Sequence, residues 1–485
     1  MTLKVVAQSN SRKNDSSKTK GVETLLGDPK KAIMKLAVPM IIAMSATTIY
    51  NLIDALWVSG FGKDFFTNSE VSNIGIDALA AVGFVMPFYM MIISIAVGVG
   101  VGSGAAISRR IGADDKKGAD NVAIHSIVLT LIIASVFSIL LFLFADSLFI
   151  IIGAERTADM AISYGRVIFS GSIFLFFSNI AFAILRSEGD ANRAMYAMMV
   201  GAVTNIIIDP IFIYTFGMGV VGAAYATILS FALASFILVY WLFFRKDTYV
   251  SFKFNEFKFN KEILKDIFKV GLPASFQQLS MSITMIAIII IIGIAGNGEN
   301  GVAIYNTGWR VVMIAILPLL GVATAVVSVT GAAFGAKSYD KLNTAYMYAA
   351  KTGLIVEIIL AIVIFFLAPF ISTVFTSRPE DIIIRPDLVI FLQISCFFYP
   401  GAAFGISSSA MFQGTGKGIY SLIATLLRTI VLTIVLALIS TFVFKAGLIG
   451  LWWSIVIANL TGSVISFSWG KLYIRNLIHK NSSTF

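Results

Sequence analysis

Twelve apolar segments dominate this sequence, each long enough to cross a bilayer. A membrane-spanning helix needs about 20 mostly apolar residues. The chain is 58% hydrophobic and 13% charged, whereas soluble domains have about 45–50% apolar and about 25% charged residues. The pattern predicts an all-α integral membrane protein. The predicted spans are residues 32–59, 78–108, 121–145, 157–185, 193–216, 219–244, 264–296, 301–333, 343–368, 383–412, 418–443 and 447–473.

The remaining composition excludes several classes of protein. A lone cysteine, Cys396, forms no intramolecular disulfide, and two histidines cannot build a His-rich metal site. In a protein with many spans, the net charge of +10 indicates topology and contact with membrane lipids rather than nucleic-acid binding. The glycines between 98 and 104 lack the βαβ context of a phosphate loop, so we expect no nucleotide. Asp114 and Asp115 form a solvated turn rather than an enzyme's magnesium cluster, and we predict neither an enzyme nor a cofactor.

The charge of the loops predicts the orientation. With the N-terminus inside, the cytoplasmic loops carry 16 Lys and Arg residues and the opposite loops carry five. The positive-inside rule therefore predicts a cell-membrane protein with both termini in the cytoplasm. Residues 1–31 lack the apolar core of a signal peptide. We expect a disordered stretch over about the first 20 residues, a short interfacial helix at about 24–35, and a C-terminal tail at 476–485.

Self-similarity divides the chain into two halves. Short motifs recur in the same order, 223–234 residues apart, and together they indicate two six-helix lobes. Because six is even, both lobes have the same orientation and are related by a pseudo-two-fold axis along the membrane normal. The recurring segments are 35–39 with 269–273, 111–113 with 334–336, Gly189 with Gly416, and 219–222 with 447–450.

The predicted organisation places an N-lobe at 32–246, a cytoplasmic linker at 247–263 and a C-lobe at 264–475. Within the linker, residues 250–260 alternate aromatic and polar side chains. This alternation is typical of a strand-like connector or of a segment lying on the membrane surface. The two-lobe architecture suits transport by alternating access.

Two carboxylates lie within predicted spans of the first half. An ionisable group in a span costs about 2.5–3.5 kcal/mol on insertion scales, which makes it a functional candidate. Asp54 follows Tyr50 by four residues, and Asp209 follows Asn205 by four, so each pair shares a helix face. Pro210 frees the carbonyl of the residue one turn before it, which adds an acceptor.

The repeat offsets place Asp54 opposite Ile288 and Asp209 opposite Leu436, so the second half lacks both carboxylates. This asymmetry favours a functional role over a structural one. If the two carboxyl groups meet in a low-dielectric cavity, their repulsion favours protonation of one or both near neutral pH. The same oxygens with Asn205 and a hydroxyl also suit Na⁺, so the residues leave H⁺ and Na⁺ open.

Further polar residues lie in the predicted spans. Tyr164 and Asn179 are cavity candidates, and Thr227 either joins the site or bonds its own helix. In the second half, Glu357 and Arg428 lie deep enough to need partners, with each other as one option, while Lys351 lies closer to an end of its span. The remaining candidates favour packing over a cavity: Gln277, Gln278, Asn306, Trp309 and Arg310.

At three segments the chain resembles the multidrug and toxic compound extrusion (MATE) transporters, especially their archaeal and DinF-like branch. These segments are residues 50–54, 183–190 and 205–210. The resemblance covers about residues 20–475. It implies two six-helix lobes, a V-shaped cleft, and export of small organic cations or amphipathic drugs in exchange for H⁺ or Na⁺.

The resemblance also implies roles for individual residues. The first helix of the family is proposed to bend at the position of Pro39. Phe182 departs from close relatives, which carry an asparagine there. The implied cation or proton site, which is also the possible Na⁺ site, comprises Asp54, Asn205, Asp209 and Thr227, with Tyr50, Tyr164 and Asn179 close by.

Two transport hypotheses remain after this reading. The first is an antiporter, with small organic cations or amphipathic drugs as substrates. The alternative is a flippase or exporter of a lipid-linked or amphipathic substrate, for which a more cationic cavity is expected. The acidic and neutral candidates of the first half favour the antiporter. We expect a monomer.

Overall fold

The computed structural model describes residues 19–61, 63–66, 74–154, 156–245, 247–295, 298–376 and 379–482. These residues are helical apart from connecting turns and contain no strand. Most of the N-terminal stretch for which disorder is expected lies outside the described residues. The helices are α1 Lys20–Leu26, α2 Pro29–Val58, α3 Lys63–Phe66, α4 Ile76–Gly112, α5 Lys116–Ile151, α6 Ala158–Ser187, α7 Ala191–Thr215, α8 Gly219–Phe244, α9 Lys261–Ile294, α10 Gly298–Gly335, α11 Tyr339–Phe375, α12 Arg385–Ser395, α13 Phe398–Gly414, α14 Gly418–Val443 and α15 Gly447–Ser482.

The predicted all-α membrane architecture is confirmed. Eleven helices within the described ranges are long and apolar enough to span a membrane, and the bent pair α12–α13 supplies a twelfth span. Its bend of 48° falls at Cys396 and Phe397. Pro400 lies four residues after Cys396, and a proline ring clashes with the carbonyl four residues before it, which accounts for a bend at this point.

The predicted interfacial helix at 24–35 is also corrected. The chain forms α1 up to Leu26, breaks at Gly27, and starts α2 at Pro29. Asp28 is the N-cap of α2, and its Oδ1 accepts a hydrogen bond of 3.0 Å from the amide of Lys30. A cap followed by proline at the first helical position is a strong start signal.

One end of the bundle, which we call the basic end, holds the loops after α4, α6, α8, α10 and α13. At this end a single hydrophobic core contains residues of both halves, such as Ile107 and Ile111 with Ile267 and Val329. Towards the opposite end, each half has its own separate clusters. The two halves are therefore joined at the basic end and packed independently at the other.

Glycines allow the close contact between α4 and α9 at the basic end. A side chain at Gly98 or Gly102 would overlap the backbone of α9 around Gly271. A side chain at Gly335 of α10 would likewise overlap the backbone of Arg109 on α4. Small residues let helix backbones approach closely inside a membrane.

The linker between the halves is irregular rather than a strand. It contains one 3₁₀ turn at Phe254–Glu256. Its Val250 amide donates to Glu188 Oε2 at 3.0 Å, and its Asn260 amide donates to His125 Nε2 at 2.9 Å. The linker is thus anchored to the first half at both of its ends.

Candidate functional site

The structure brings Asp54 of α2 and Asp209 of α7 together. Their carboxyl groups lie close enough to each other to interact. Two neighbouring carboxylates repel each other when both are charged, so a proton or a cation between them would stabilise this arrangement. Asp209 is fully buried, whereas Asp54 is half-buried.

Asn205 connects this pair to α8. Its Nδ2 lies 3.5 Å from Asp209 Oδ1 and 3.4 Å from Thr227 Oγ1. One turn separates Asn205 from Asp209 on α7, so their side chains share a face. Just beyond Asp209, Pro210 ends the regular α-helical pattern and a π-helical turn follows at Ile211–Thr215.

Three oxygens at this site are buried without a hydrogen-bond partner: Asp54 Oδ1, Asp209 Oδ2 and Asn205 Oδ1. No ion pair joins either aspartate to a basic side chain in the described ranges. Unsatisfied buried acceptors are costly. The arrangement therefore favours the arrival of a proton or of a hard cation, which prefers oxygen ligands.

Tyrosines surround the acidic pair. Tyr50 and Tyr164 lie close enough to Asp54 to interact with it electrostatically, as does Tyr89 of α4. Tyr50 and Tyr89 also lie close to each other. Tyr89 was missed from the sequence because a tyrosine in an apolar helix carries no charge that marks it. Its position on a third helix could be read only from the fold.

Asn179, named with this group from the sequence, bonds to its own helix rather than to the acidic pair within the described ranges. Its Nδ2 donates to the carbonyl of Leu175 on its own helix at 2.9 Å. Phe182, three residues further along, is buried. Pro39 is buried inside α2, which continues as one helix from Pro29 to Val58.

The second half contains a different set of buried polar groups. At the repeat-equivalent positions, Ile288 is fully buried and Leu436 is half-buried. Glu357 and Arg428 form no ion pair, so the suggested pairing is wrong; both carboxylate oxygens of Glu357 are buried without a partner. Glu357 lies on α11 and Arg428 on α14, and neither residue forms an ion pair with any other charged side chain in the described ranges. Lys351, by contrast, is exposed.

Gln277 is the centre of a neutral hydrogen-bond network in the second half. Its Nε2 donates to Ser421 Oγ at 2.7 Å and to Thr425 Oγ1 at 3.0 Å, and its Oε1 accepts from Gln413 Nε2 at 2.7 Å. Trp309 packs against other rings, with its centroid 5.7 Å from that of Tyr305. Asn306 Oδ1 is buried without a partner, whereas Gln278 and Arg310 are exposed.

An ion pair fastens the two halves at the basic end. Arg109 Nη2 lies 2.7 Å from Asp266 Oδ1, and Arg109 Nη1 donates to the Gly414 carbonyl at 3.1 Å. Arg110 Nη2 lies 3.9 Å from the other oxygen of Asp266. These are the ion pairs between the halves among the described residues. The Arg109 side chain is only 11% exposed, so solvent screens the closer pair weakly.

Two six-helix halves joined at one end, with a buried acidic pair inside one of them, define a membrane transporter. A family model, MatE, matches residues 64–211 and 273–439. The chain belongs to this family, whose members are transporters and not enzymes.

Similar proteins agree with this assignment. "Multidrug export protein MepA" of Staphylococcus aureus (strain MSSA476) is 26% identical over 431 residues, which is 88% of this chain and 90% of that protein. A solved structure titled "Reverse polarity of binding pocket suggests different function of a MOP superfamily transporter from Pyrococcus furiosus Vc1 (DSM3638)" is 47% identical. Its TM-score is 0.90, and the match covers 95% of this chain and 99% of that one.

A further solved structure bears on conformation. It is titled "Outward-facing conformation of a multidrug resistance MATE family transporter of the MOP superfamily". The identity is 47% and the TM-score 0.90, and the match covers 95% of this chain and 99% of that one.

Proposed function

We propose that this protein is an antiporter that exports organic cations and amphipathic toxic compounds in exchange for protons. The adjacent, buried carboxyl groups of Asp54 and Asp209 are the observation on which the proposal rests. A carboxyl pair without a basic partner favours binding of a proton, and its charge changes when that proton leaves. The printed names of the relatives, multidrug export and multidrug resistance, support the class of substrate.

The acidic pair would couple the two fluxes. When the pair loses its proton, its negative charge favours an organic cation nearby, and the rings of Tyr50, Tyr89 and Tyr164 offer faces for cation–π contact. When a proton enters, the charge is neutralised and the affinity for the cation falls. Linkage makes this effect reciprocal, so bound substrate also weakens proton binding. Asn205 and Thr227 position Asp209 within the site.

Alternating access would expose this site to the two sides in turn. The shared core and the Arg109–Asp266 pair close the basic end, while the opposite ends of the halves pack separately. The positive-inside rule assigns the basic end to the cytoplasm, together with both termini. With that orientation, in the cell membrane, the described conformation is outward-facing, in keeping with the similar structure of that title.

The finer assignments made from the sequence belong to the same proposal. The lobes are 32–246 and 264–475, and the identities of 47% and 26% place the chain nearer to the Pyrococcus furiosus structure than to the staphylococcal relative. This difference supports the archaeal and DinF-like branch. A single chain supplies both halves and the whole acidic site, which supports function as a monomer.

Na⁺ is the second candidate for the coupling ion. The partnerless oxygens of Asp54, Asp209 and Asn205, with the hydroxyl of Thr227, are the hard-oxygen ligands that such a cation takes. The exchange reaction would then move Na⁺ inward as the drug moves outward.

The test is ethidium transport in oriented proteoliposomes under an imposed pH gradient or an imposed Na⁺ gradient. We expect the pH gradient to drive transport, and Asp54→Asn or Asp209→Asn to abolish it. Asp247→Asn is the matched control, because Asp247 pairs with Arg193 and Arg245 at the surface of the basic end. Transport driven by the Na⁺ gradient alone would show that Na⁺, and not H⁺, is the coupling ion. Full transport by both site variants would refute the site.

A further inference from the structure

The last helix, α15, carries a row of basic side chains near its C-terminal end. Lys471, Arg475 and His479 are four residues apart, so they follow one another along one face at a spacing of about 6 Å. All three are exposed. The apolar part of α15 ends at about residue 470, which places the row at the level where the helix leaves the bilayer on the basic side.

Lys471 and Arg475 have no acidic neighbour in their part of the sequence. The chain contains no Asp or Glu after Asp387. Neither Lys471 nor Arg475 forms an ion pair within the described ranges. Their charge is therefore available to an anion from outside the chain.

The row borders a groove. A cavity of about 330 Å³ lies between Asn343, in the first turns of α11, and this face of α15. Its walls also include Leu472, Ile474 and Ile478, so most of its lining is apolar although its edge is basic. Ile474 is buried at the base of the groove, while Leu472 is 58% exposed at its side.

We propose that this groove binds an anionic glycerophospholipid of the leaflet at the basic end. Lys471 and Arg475 would contact the phosphate, and Leu472 and Ile478 would contact the upper part of an acyl chain. Cations near a helix C-terminus also offset the helix dipole, but that role requires neither a groove nor apolar walls. Juxtamembrane basic clusters attract anionic lipids by about 1 kcal/mol per Lys or Arg.

The test is native mass spectrometry of the purified full chain in a neutral detergent, with dioctanoyl phosphatidylglycerol as the probe. We expect this lipid to bind more tightly than dioctanoyl phosphatidylcholine. The double variant Lys471→Gln/Arg475→Gln should weaken binding by about fivefold per cation removed, hence about 25-fold. Arg475→Lys, which keeps the charge, should retain most of the affinity.

The matched control is Lys31→Gln/Lys258→Gln, which removes two exposed cations at the same end but outside the groove. Equal weakening by this control would show a general surface-charge effect and overturn the proposal, as would unchanged binding by the groove variant. Glycerol 3-phosphate distinguishes the sources of phosphate, since binding as tight as that of the lipid would show a free-phosphate site instead. An unchanged unfolding temperature without lipid establishes that the groove variant is folded. None of these outcomes depends on the transport assay.

Discussion

The two halves of the molecule share an order of helices but differ in their polar interiors. Inside the first half, Asp54 and Asp209 form a carboxyl pair. The repeat places Ile288 and Leu436 at the equivalent positions of the second half. The main hydrogen-bond network there is neutral and is centred on Gln277.

The same contrast holds at the basic end. Glu188 holds the linker, whereas the hydroxyl of its equivalent Thr415 donates to carbonyls of the preceding helix. Arg109 forms the ion pair between the halves, whereas the equivalent Ala332 only packs against Gly112. The repeat therefore provides the same scaffold twice, but the carboxyl pair, the linker anchor and the ion-pairing arginine all belong to the first copy. The second copy buries Glu357 and Arg428 without pairing them.

The largest expected effect comes from removing the acidic pair. Asp209→Asn should abolish coupling to the ion gradient, a loss of about 100-fold, since coupling free energies of 1–3 kcal/mol correspond to roughly 5–150-fold. Gradient-driven ethidium flux measures it. Leu436→Asn, at the equivalent position, should leave the coupling intact in protein shown to be folded. Equal losses in both variants would mean that the halves do not differ in this respect.

The second prediction concerns Glu188 and pH. Burial raises the pKa of this carboxyl to about 8, against the opposing effect of the Val250 amide that donates to it. The native state therefore binds more protons than the unfolded chain between about pH 4.5 and pH 8. Stability should fall as pH rises through this window, by up to about 1.4 kcal/mol per pH unit.

Thermal unfolding at a series of pH values tests this linkage. Glu188→Gln keeps an acceptor for the Val250 amide and removes the titration. The stability of wild type relative to the variant should therefore rise as the pH falls from 8 to 5. Thr415→Val at the equivalent position should preserve the wild-type slope. A parallel pH dependence in wild type and Glu188→Gln would contradict the assignment to this carboxyl.

The third prediction concerns the ion pair between the halves. Asp266→Asn removes the partner of Arg109 and should shift the equilibrium towards an open basic end by about tenfold, or about 1.4 kcal/mol, less than the 3–5 kcal/mol of a fully buried pair. Spin labels at positions 117 and 337 report the separation of the halves, and the native Cys396 is buried. Asp247→Asn, whose partners lie in the first half, should leave the distances unchanged. An identical shift in that control would implicate general surface charge.

The smallest effect is expected in the neutral network. Gln277→Leu removes the acceptor of Gln413 Nε2 and the hydrogen bonds to Ser421 and Thr425, whose hydroxyls remain bonded to Ser409. Hydrogen bonds within membranes are worth about 0.6 kcal/mol on average. Stability should fall by about 1 kcal/mol while transport stays coupled to the same ion. Unfolding temperature and gradient-driven flux measure the two properties. A loss of coupling would show that the second half also takes part in ion binding.

The span count, the repeat and the two aspartates could be predicted from the sequence, because each depends on residues close together in the chain. The exact positions at which helices bend or break could not be predicted. The bend at Cys396 and Phe397 lies four residues before Pro400, yet α2 continues as one helix through Pro39. Packing between neighbouring helices decides which proline breaks its helix. The suggested pairing of Glu357 with Arg428 failed for the same reason, since helix rotation decides which side chains face each other.

By itself, the sequence determined that this chain must span a membrane many times and carry two carboxylates in only one half. Solvation is the reason. The free energies of transferring a long apolar segment or a charged side chain into the bilayer are large, and they depend little on the neighbouring helices. The tertiary structure decided that Asp54 meets Asp209, that Tyr89 joins them, and that Glu188 and Arg109 hold the basic end together. Those contacts join residues far apart in the chain, and they depend on distances of a few ångströms that only helix packing sets.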